Sequence, residues 1–327
     1  MSYDIPLDEF RQARARLAPY TRHTPLAPWP LLHDDAPSGL RLKLENLQVV
    51  GSFKPRGVFN HMRQLDPEPR QRGVVTASAG NHGLAVAYVA HQLAIPATIF
   101  LPSIATHDRV ARIQHWGAHV IKHGPSYDDA QAAALAHAAE HDLTYVPSFD
   151  SAATLAGHGS LGLELLDDLP EMDAVLIAIG GGGLIAGVAC VLRKLNPRIR
   201  IIGVEPVGAP SMYESVRAGQ VITLPTATTI ADTLATRAVC ERTLYLTRHY
   251  VDEIVLVSDS QIASAMHWLW SECNQLVEPS GAAALAAALY GVADLSASLH
   301  PVVVICGGNV AADPALKAYD PLREPPS

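Results

Sequence analysis

Cysteine is scarce and scattered in this chain of 327 residues. Cys190, Cys240, Cys273 and Cys306 lack the paired spacing of a zinc site or a disulfide framework. That usage suits a reducing, cytoplasmic setting. Charge is sparse too: 17% of residues are charged, the formal net charge is −8, and no basic run breaks the acidic balance. A nucleic-acid partner is therefore not expected. The first residues, Met1-Ser2-Tyr3-Asp4-Ile5-Pro6, hold an acid and no apolar core, unlike a signal peptide. Long hydrophobic runs are also missing, with one exception. Residues 174–192 carry no charge and are nearly long enough to cross a bilayer. Four consecutive glycines at their centre would weaken a lipid-exposed helix severely. The stretch reads instead as a buried strand over 174–179, a glycine turn and a helix, so no membrane association is expected.

What is present describes a compact α/β chain. Its length exceeds a usual single core, and 49% of its residues are hydrophobic. Strand-like runs at 73–77, 97–101, 119–121, 174–179, 200–204, 254–257 and 302–306 alternate with helical runs at 84–93, 130–140, 262–272 and 281–289. That alternation predicts parallel sheet with helices on both faces. Ligands of such sheets bind beyond the carboxyl ends of the strands, at helix N-termini. The final residues, 321–327, read as a frayed tail.

Five strand-end segments stand out. In the first, a β-branched, apolar run over 40–50 stops at Gly51 and is followed by Ser52-Phe53-Lys54-Pro55-Arg56-Gly57. Ser52 is read as a helix cap, with Pro55 in the first helical turn. There the helix dipole disfavours an ammonium and favours the free amine of Lys54, the form that makes a Schiff base. The plainer alternative is a solvated lysine at a helix start. The second segment, Ser78-Ala79-Gly80-Asn81-His82-Gly83, follows a strand and opens a helix, so a carboxylate would be well placed on Ser78, Asn81 and His82. A polar turn that merely caps the helix accounts for it equally.

Gly180-Gly181-Gly182-Gly183-Leu184 offers successive N–H groups to a phosphate, without the lysine of a Walker loop or the glycine spacing of a dinucleotide fingerprint. Helix-on-sheet packing would explain two of these glycines but hardly four. Cys306-Gly307-Gly308-Asn309 ends a Val-Val-Val-Ile strand; its cysteine is either a small hydrophobe or a weak partner for a ring nitrogen. Glu205, Ala209 and Ser211 gather oxygens that suit a hard cation, or form a turn with a solvated glutamate.

An imine-forming lysine, a phosphate cradle, a carboxylate-binding turn and a ring-nitrogen partner together call for pyridoxal phosphate, which has an aldehyde, a phosphate and a pyridine ring. These segments resemble, in order and from about Thr24 to Asn309, the serine/threonine dehydratases. Those belong to the fold type II, tryptophan-synthase-like pyridoxal-phosphate enzymes, with serine racemase a close relative. The resemblance implies a two-lobed α/β fold, each lobe a mostly parallel twisted sheet flanked by helices. It assigns 1–72 plus 151–327 to a large cofactor-binding domain and 73–150 to a small substrate-loop domain.

The resemblance also implies roles. Lys54 is the Schiff-base lysine and general base, and Phe53 lies beside the ring. Asn81 faces the cofactor's phenolic oxygen, Gly180, Gly181, Gly182, Gly183 and Leu184 hold the phosphate, and Cys306 lies opposite the pyridine nitrogen. Ser78, Asn81 and His82 receive the substrate carboxylate. Glu205, Ala209 and Ser211 hold a monovalent cation, K+. The implied reaction is dehydration and deamination of a 3-hydroxy amino acid such as L-threonine or L-serine to a 2-keto acid and ammonia, by a homodimer or homotetramer.

Three positions depart from the relatives. Ala79 stands where serine racemase has a second serine, which favours elimination over racemisation. Thr233 and His158 stand where many relatives have glycine and glutamine, leaving open a bulkier 3-hydroxy amino acid. Racemisation, β-replacement and a non-catalytic binding role remain the alternatives.

Overall fold

In the computed structural model of the protein, residues 3–28 and 39–310 are described. The frayed tail expected over 321–327 lies outside them. The strands are β1 (Leu26–Pro28), β2 (Arg41–Lys43), β3 (Val74–Ala77), β4 (Ala97–Leu101), β5 (His119–Lys122), β6 (Thr144–Tyr145), β7 (Ala174–Ala178), β8 (Arg200–Pro206), β9 (Glu253–Val257) and β10 (Pro301–Val304). The helices are α1 (Leu7–Leu17), α2 (Lys54–Met62), α3 (Pro67–Arg72), α4 (Asn81–Leu93), α5 (His107–Gln114), α6 (Tyr127–Glu140), α7 (Ala152–Asp168), α8 (Gly183–Leu195), α9 (Ser211–Ala218), α10 (Glu241–Tyr250), α11 (Asp259–Cys273) and α12 (Pro279–Leu289).

The strands form two sheets. One has six strands in the order β1-β2-β10-β7-β8-β9, parallel except for the antiparallel β1-β2 pair. The other has four parallel strands in the order β5-β4-β3-β6. Central strands are covered on both faces, so their residues are continuously apolar: all of Ala-Val-Leu-Ile-Ala in β7 is buried, whereas the edge strand β5 is half exposed. Some helix starts are fixed locally. Ser126 and Asp129 form a reciprocal capping box on α6, as do Ser258 and Gln261 on α11. The alanines of α12 are buried, letting that helix lie close to α11 and the larger sheet. The smaller sheet shares its core with Leu17 of α1 and with Val58, Phe59 and Met62 of α2.

Strand order places the site. β10 lies between β2 and β7, so the chain leaving β2 toward Lys54, the end of β10 at Cys306 and the glycine turn after β7 emerge side by side. The expected strand over 40–50 is far shorter. β2 and β10 stay in register for only three residues, ending at Lys43 opposite Val304. The chain then makes a 3-10 turn through Glu45–Leu47 and a second turn at Val49–Gly51, where Val50 has φ 52°, because Glu45 is drawn inward to meet Arg56. Residues 174–192 resolve into β7, the glycine turn and most of α8. Among the described residues no helix is long and apolar enough to cross a membrane.

Candidate active site

Lys54 is the first residue of α2, with Pro55 next to it in the opening turn. Its Nζ donates to the Ser148 carbonyl at 3.3 Å and lies 5.0 Å from the centre of the Phe53 ring. Burial pushes its pKa down to about 8, against the opposing influence of Cys306 and Glu278. A usable fraction of the amine is therefore neutral near pH 7. Ser52 does not cap the helix. Its backbone is extended and bridges to Gly307, and its buried Oγ has no hydrogen-bond partner. The segment is pulled against the end of β10, where the Phe53 N–H donates to the Cys306 carbonyl at 3.1 Å.

Behind Lys54 lies a buried ionic network. Arg56, 1% exposed, donates through Nε and Nη2 to Glu45 at 2.8 Å each and to Glu164 through Nη1 and Nη2 at 2.6 and 2.9 Å. Lys43 joins from β2, with Nζ 2.8 Å from Asp168 and 3.2 Å from Glu164. Each charge has a partner, which is the condition for burying it.

The glycine turn leads into α8, where unpartnered N–H groups point outward. Side chains are excluded there. A Cβ on Gly181 would lie 2.2 Å from the Phe149 ring, and Gly182 has φ +84°. Gly183 would put one 2.8 Å from the Phe149 Cβ. Leu184 is buried beneath. Under the turn lies His158, wholly buried and edge-on to Phe53 with ring centroids 4.9 Å apart. Neither of its ring nitrogens makes a well-formed hydrogen bond. Burial, then the charge of Lys54, hold its pKa well below the usual value. A cradle that only glycine fits, beside the buried and unpartnered Ser52 Oγ and a partly neutral lysine, suits a phosphate-bearing aldehyde.

Across the cleft, Asn81 opens α4. Its Nδ2 donates to Glu278 at 2.5 Å, and its Oδ1 accepts from Asn309 Nδ2 at 2.7 Å. Ser78 folds back, with Oγ accepting from the Gly80 N–H at 3.2 Å. The His82 side chain is turned into the core, where Nε2 bonds to Thr76 Oγ1 and to the Val146 carbonyl. Burial, then Lys54, push its pKa down to about 3. What His82 can offer a ligand is its backbone N–H. Cys306 donates its thiol to the Ser280 carbonyl at 3.4 Å, and burial pushes its pKa upward, so it stays neutral.

Glu205, Ala209 and Ser211 are all buried where β8 turns into α9. The Glu205 carboxylate accepts from the backbone N–H groups of Met212 and Tyr213 at 2.9 and 2.7 Å, capping α9. Burial nevertheless pushes its pKa up to about 8. Ser211 Oγ is buried without a well-formed hydrogen bond. Among the described residues, no three or more His, Cys, Asp or Glu side chains gather as a metal site.

Sequence reading missed Glu278. It is 4% exposed, fixes Asn81, and is pushed up to about 7 by burial, moderated by the Asn81 bond and by Arg109 and Arg112. The only local signal was Glu278-Pro279, which reads as an ordinary helix start. Ser148 and Phe149 were missed as well. They precede α7, far in sequence from the residues they touch.

Comparison with known proteins gives one consistent picture. A family described as pyridoxal-phosphate dependent enzyme matches residues 17–307. L-threonine ammonia-lyase of Thermotoga maritima is 37% identical over 94% of this chain and 76% of its own length. L-threo-3-hydroxyaspartate ammonia-lyase of Saccharomyces cerevisiae is 35% identical over 91% of each chain. Among solved structures, maize serine racemase superposes with a TM-score of 0.93 at 36% identity, covering 97% of both chains.

Proposed function

This chain belongs to the pyridoxal-phosphate dependent enzymes, and from that premise we propose that it removes water and ammonia from an L-3-hydroxy amino acid to give a 2-keto acid. The carrying observation is Lys54: a buried amine with a lowered pKa in a cleft that also contains a glycine-only cradle and an amide held by Glu278 and Asn309. When bound, pyridoxal phosphate supplies an aldehyde that condenses with amines and a ring that accepts the electron pair left when the Cα–H bond breaks.

The chain's own residues do the rest. Lys54 would hold the cofactor through its amine, and its neutral Nζ would be the base that takes the Cα proton. Gly180 to Gly183, with Leu184, present N–H groups and the α8 dipole to the phosphate. Asn81, with its rotamer fixed by Glu278 and Asn309, would serve the ring oxygen, and Phe53 would line the ring. The neutral Cys306 thiol would serve the ring nitrogen without adding charge. Ser78, Asn81 and the His82 N–H receive the substrate carboxylate. Ala79 has no proton to give, so loss of the β-hydroxyl competes well with return of a proton from another side.

Glu205, Ala209 and Ser211 hold a monovalent cation, K+, in this proposal; the buried Ser211 Oγ, which makes no well-formed hydrogen bond, supports it, and a single acid suits a single charge. Residues 73–150 form the substrate-loop domain, and 1–72 with 151–327 the cofactor domain. The enzyme works as a homodimer or homotetramer in the cytoplasm, where its four free cysteines stay reduced. Light scattering tests the assembly.

The test of the reaction is a panel of hydroxy amino acids, including L-serine and L-threonine, followed by keto-acid release and by chiral analysis of remaining substrate. The expected result is keto acid and ammonia in equal amounts, abolished in Lys54→Ala. Racemisation of serine faster than deamination of every substrate would overturn the proposal.

A further inference from the structure

Two arginines at the mouth of the cleft go beyond what binding a plain hydroxy amino acid requires. Arg109 and Arg112 lie one turn apart on α5 and, with Asn81, Thr233, Glu278 and Asn309, line the space in front of the Ser78–His82 loop. Arg109 is paired with Asp232 across the cleft. Arg112 donates to the Asn309 side-chain oxygen, and Asn309 in turn donates to Asn81. The Arg112 guanidinium is thus one side chain away from Asn81.

Among the described residues, Asp232 is paired with Arg109, and Glu278 is buried and bonded to Asn81, so the hydrogen-bond partner of the exposed Arg112 is a neutral amide. A guanidinium bonds a carboxylate about twice as strongly as a neutral oxygen, and in a planar, two-pronged geometry. The space enclosed is about 20 Å³, room for roughly one water. A substrate that enters must therefore part the arginines from their present partners, and an anion on that substrate is what compensates them. The opposite wall limits bulk, because the Thr233 methyl lies 3.1 Å from where a Cβ on Gly80 would be. The space suits a short side chain with a charged end.

We propose that Arg112, with Arg109 beside it, receives a second anionic group on the substrate, so that the preferred substrates are 3-hydroxy amino acids whose side chain ends in a carboxylate. The inference rests on the elimination chemistry proposed above and names the substrate class of the same site. The reaction balances without any oxidant. The Cα–H and Cβ–OH bonds break to release water, and one water is taken up again as the amine leaves as ammonia. A hydroxy amino diacid gives an oxo diacid.

Two measurements on the holoenzyme test it. In the first, kcat/KM for 3-hydroxyaspartate isomers is compared with that for L-threonine and L-serine, in the wild type and in Arg112→Ala and Arg112→Lys. The diacid is expected to be preferred by 10-fold or more. Arg112→Ala should lower the diacid-to-threonine ratio about 10–100-fold, chiefly through KM, as loss of a hydrogen bond to a charged group does. Arg112→Lys should recover part of it. In the second, calorimetry measures binding of succinate against propionate, neither of which can react; only the diacid should bind tightly, and only with Arg112 present. Preference for threonine or serine, or a ratio unchanged in Arg112→Ala, would overturn the inference while leaving the elimination chemistry standing. If no hydroxy amino acid yields keto acid, the proposed reaction fails, and the succinate comparison still decides the role of Arg112.

Discussion

Replacing Arg56 by methionine removes the centre of the buried ionic network while keeping most of the side-chain volume. The guanidinium bonds both oxygens of Glu45, both of Glu164, and Ser160 Oγ at 3.2 Å. Glu45 is wholly buried, and without Arg56 it keeps only the Thr24 hydroxyl, at 2.5 Å, and the more distant charge of Lys43. Leaving one member of a buried pair behind typically costs about 3–5 kcal/mol, a large part of a total stability of roughly 5–15 kcal/mol. Unfolding entropy of about 2.1 cal/mol/K per residue makes 1 kcal/mol worth roughly 1.5 °C in a chain this long, so Tm should fall by about 4–7 °C.

The pH dependence makes the test sharper. Burial alone would raise the Glu45 pKa, but the charge and hydrogen bonds of Arg56 outweigh it and hold the carboxyl below its ordinary value. In the wild type that stabilisation is present above the ordinary carboxylate pKa and is lost as pH falls through the depressed one. In Arg56→Met burial is no longer outweighed, the folded pKa rises above the unfolded one, and folding takes up a proton. The penalty is then largest at high pH and shrinks as pH falls. Chemical denaturation of both proteins from pH 8 to 5 should show the gap narrowing toward acid. A gap below about 1 kcal/mol at pH 7, or one that does not narrow, would refute the reasoning. Arg56→Lys, which keeps the charge and loses the fork, should lie between the two.

Four further outcomes are expected. Gly181→Ala, whose Cβ would meet the Phe149 ring at 2.2 Å, should weaken cofactor retention about 10-fold or more in dialysis followed by absorbance; normal retention would discount the cradle. Glu278 is pushed up to about 7, so folding disfavours its charged form and its contribution to stability falls as pH rises from the ordinary carboxylate range through 7. Glu278→Gln should therefore gain on the wild type by roughly 1–3 kcal/mol in denaturation between pH 5 and 8, and a constant difference would contradict this. Ala79→Ser should raise D-isomer formation relative to keto-acid release, up to about 10²-fold by chiral chromatography, because it adds a hydroxyl where the loop had a methyl group. Exchange of potassium for a large organic cation should lower Tm by a few degrees while a chelator has little effect; chelator inactivation rescued by magnesium would point to a divalent ion.

Much of this protein was decided by short stretches of its sequence. The alternation of strand and helix was legible because a central parallel strand is covered on both faces and must be continuously apolar, as in β7 and β10. The glycine turn and Cys306 were legible for a related reason: each lies at the end of a strand, and strand ends in such folds face the ligand, whereas Lys54 was marked by the helix start it occupies, well beyond the end of β2. Glycines 181 to 183 are fixed by what a Cβ would strike or by a positive φ, which leaves glycine as the residue that fits.

Tertiary structure alone decided the rest, because the deciding partners are far apart in the chain. Ser52 has the composition of a helix cap, yet its bridge to Gly307 holds it extended. His82 is a plausible ligand donor by type, but the carbonyl of Val146 claims its ring. Glu278, Asn81 and Asn309 come together only because α4, α12 and the end of β10 meet, and Arg112 reaches Asn309 from a helix of the other sheet. Local sequence fixes which backbone geometry is cheap and which faces must be buried. Which polar side chains share a cleft, and so which charges are balanced there, depends on strand order and packing between elements that no local pattern encodes.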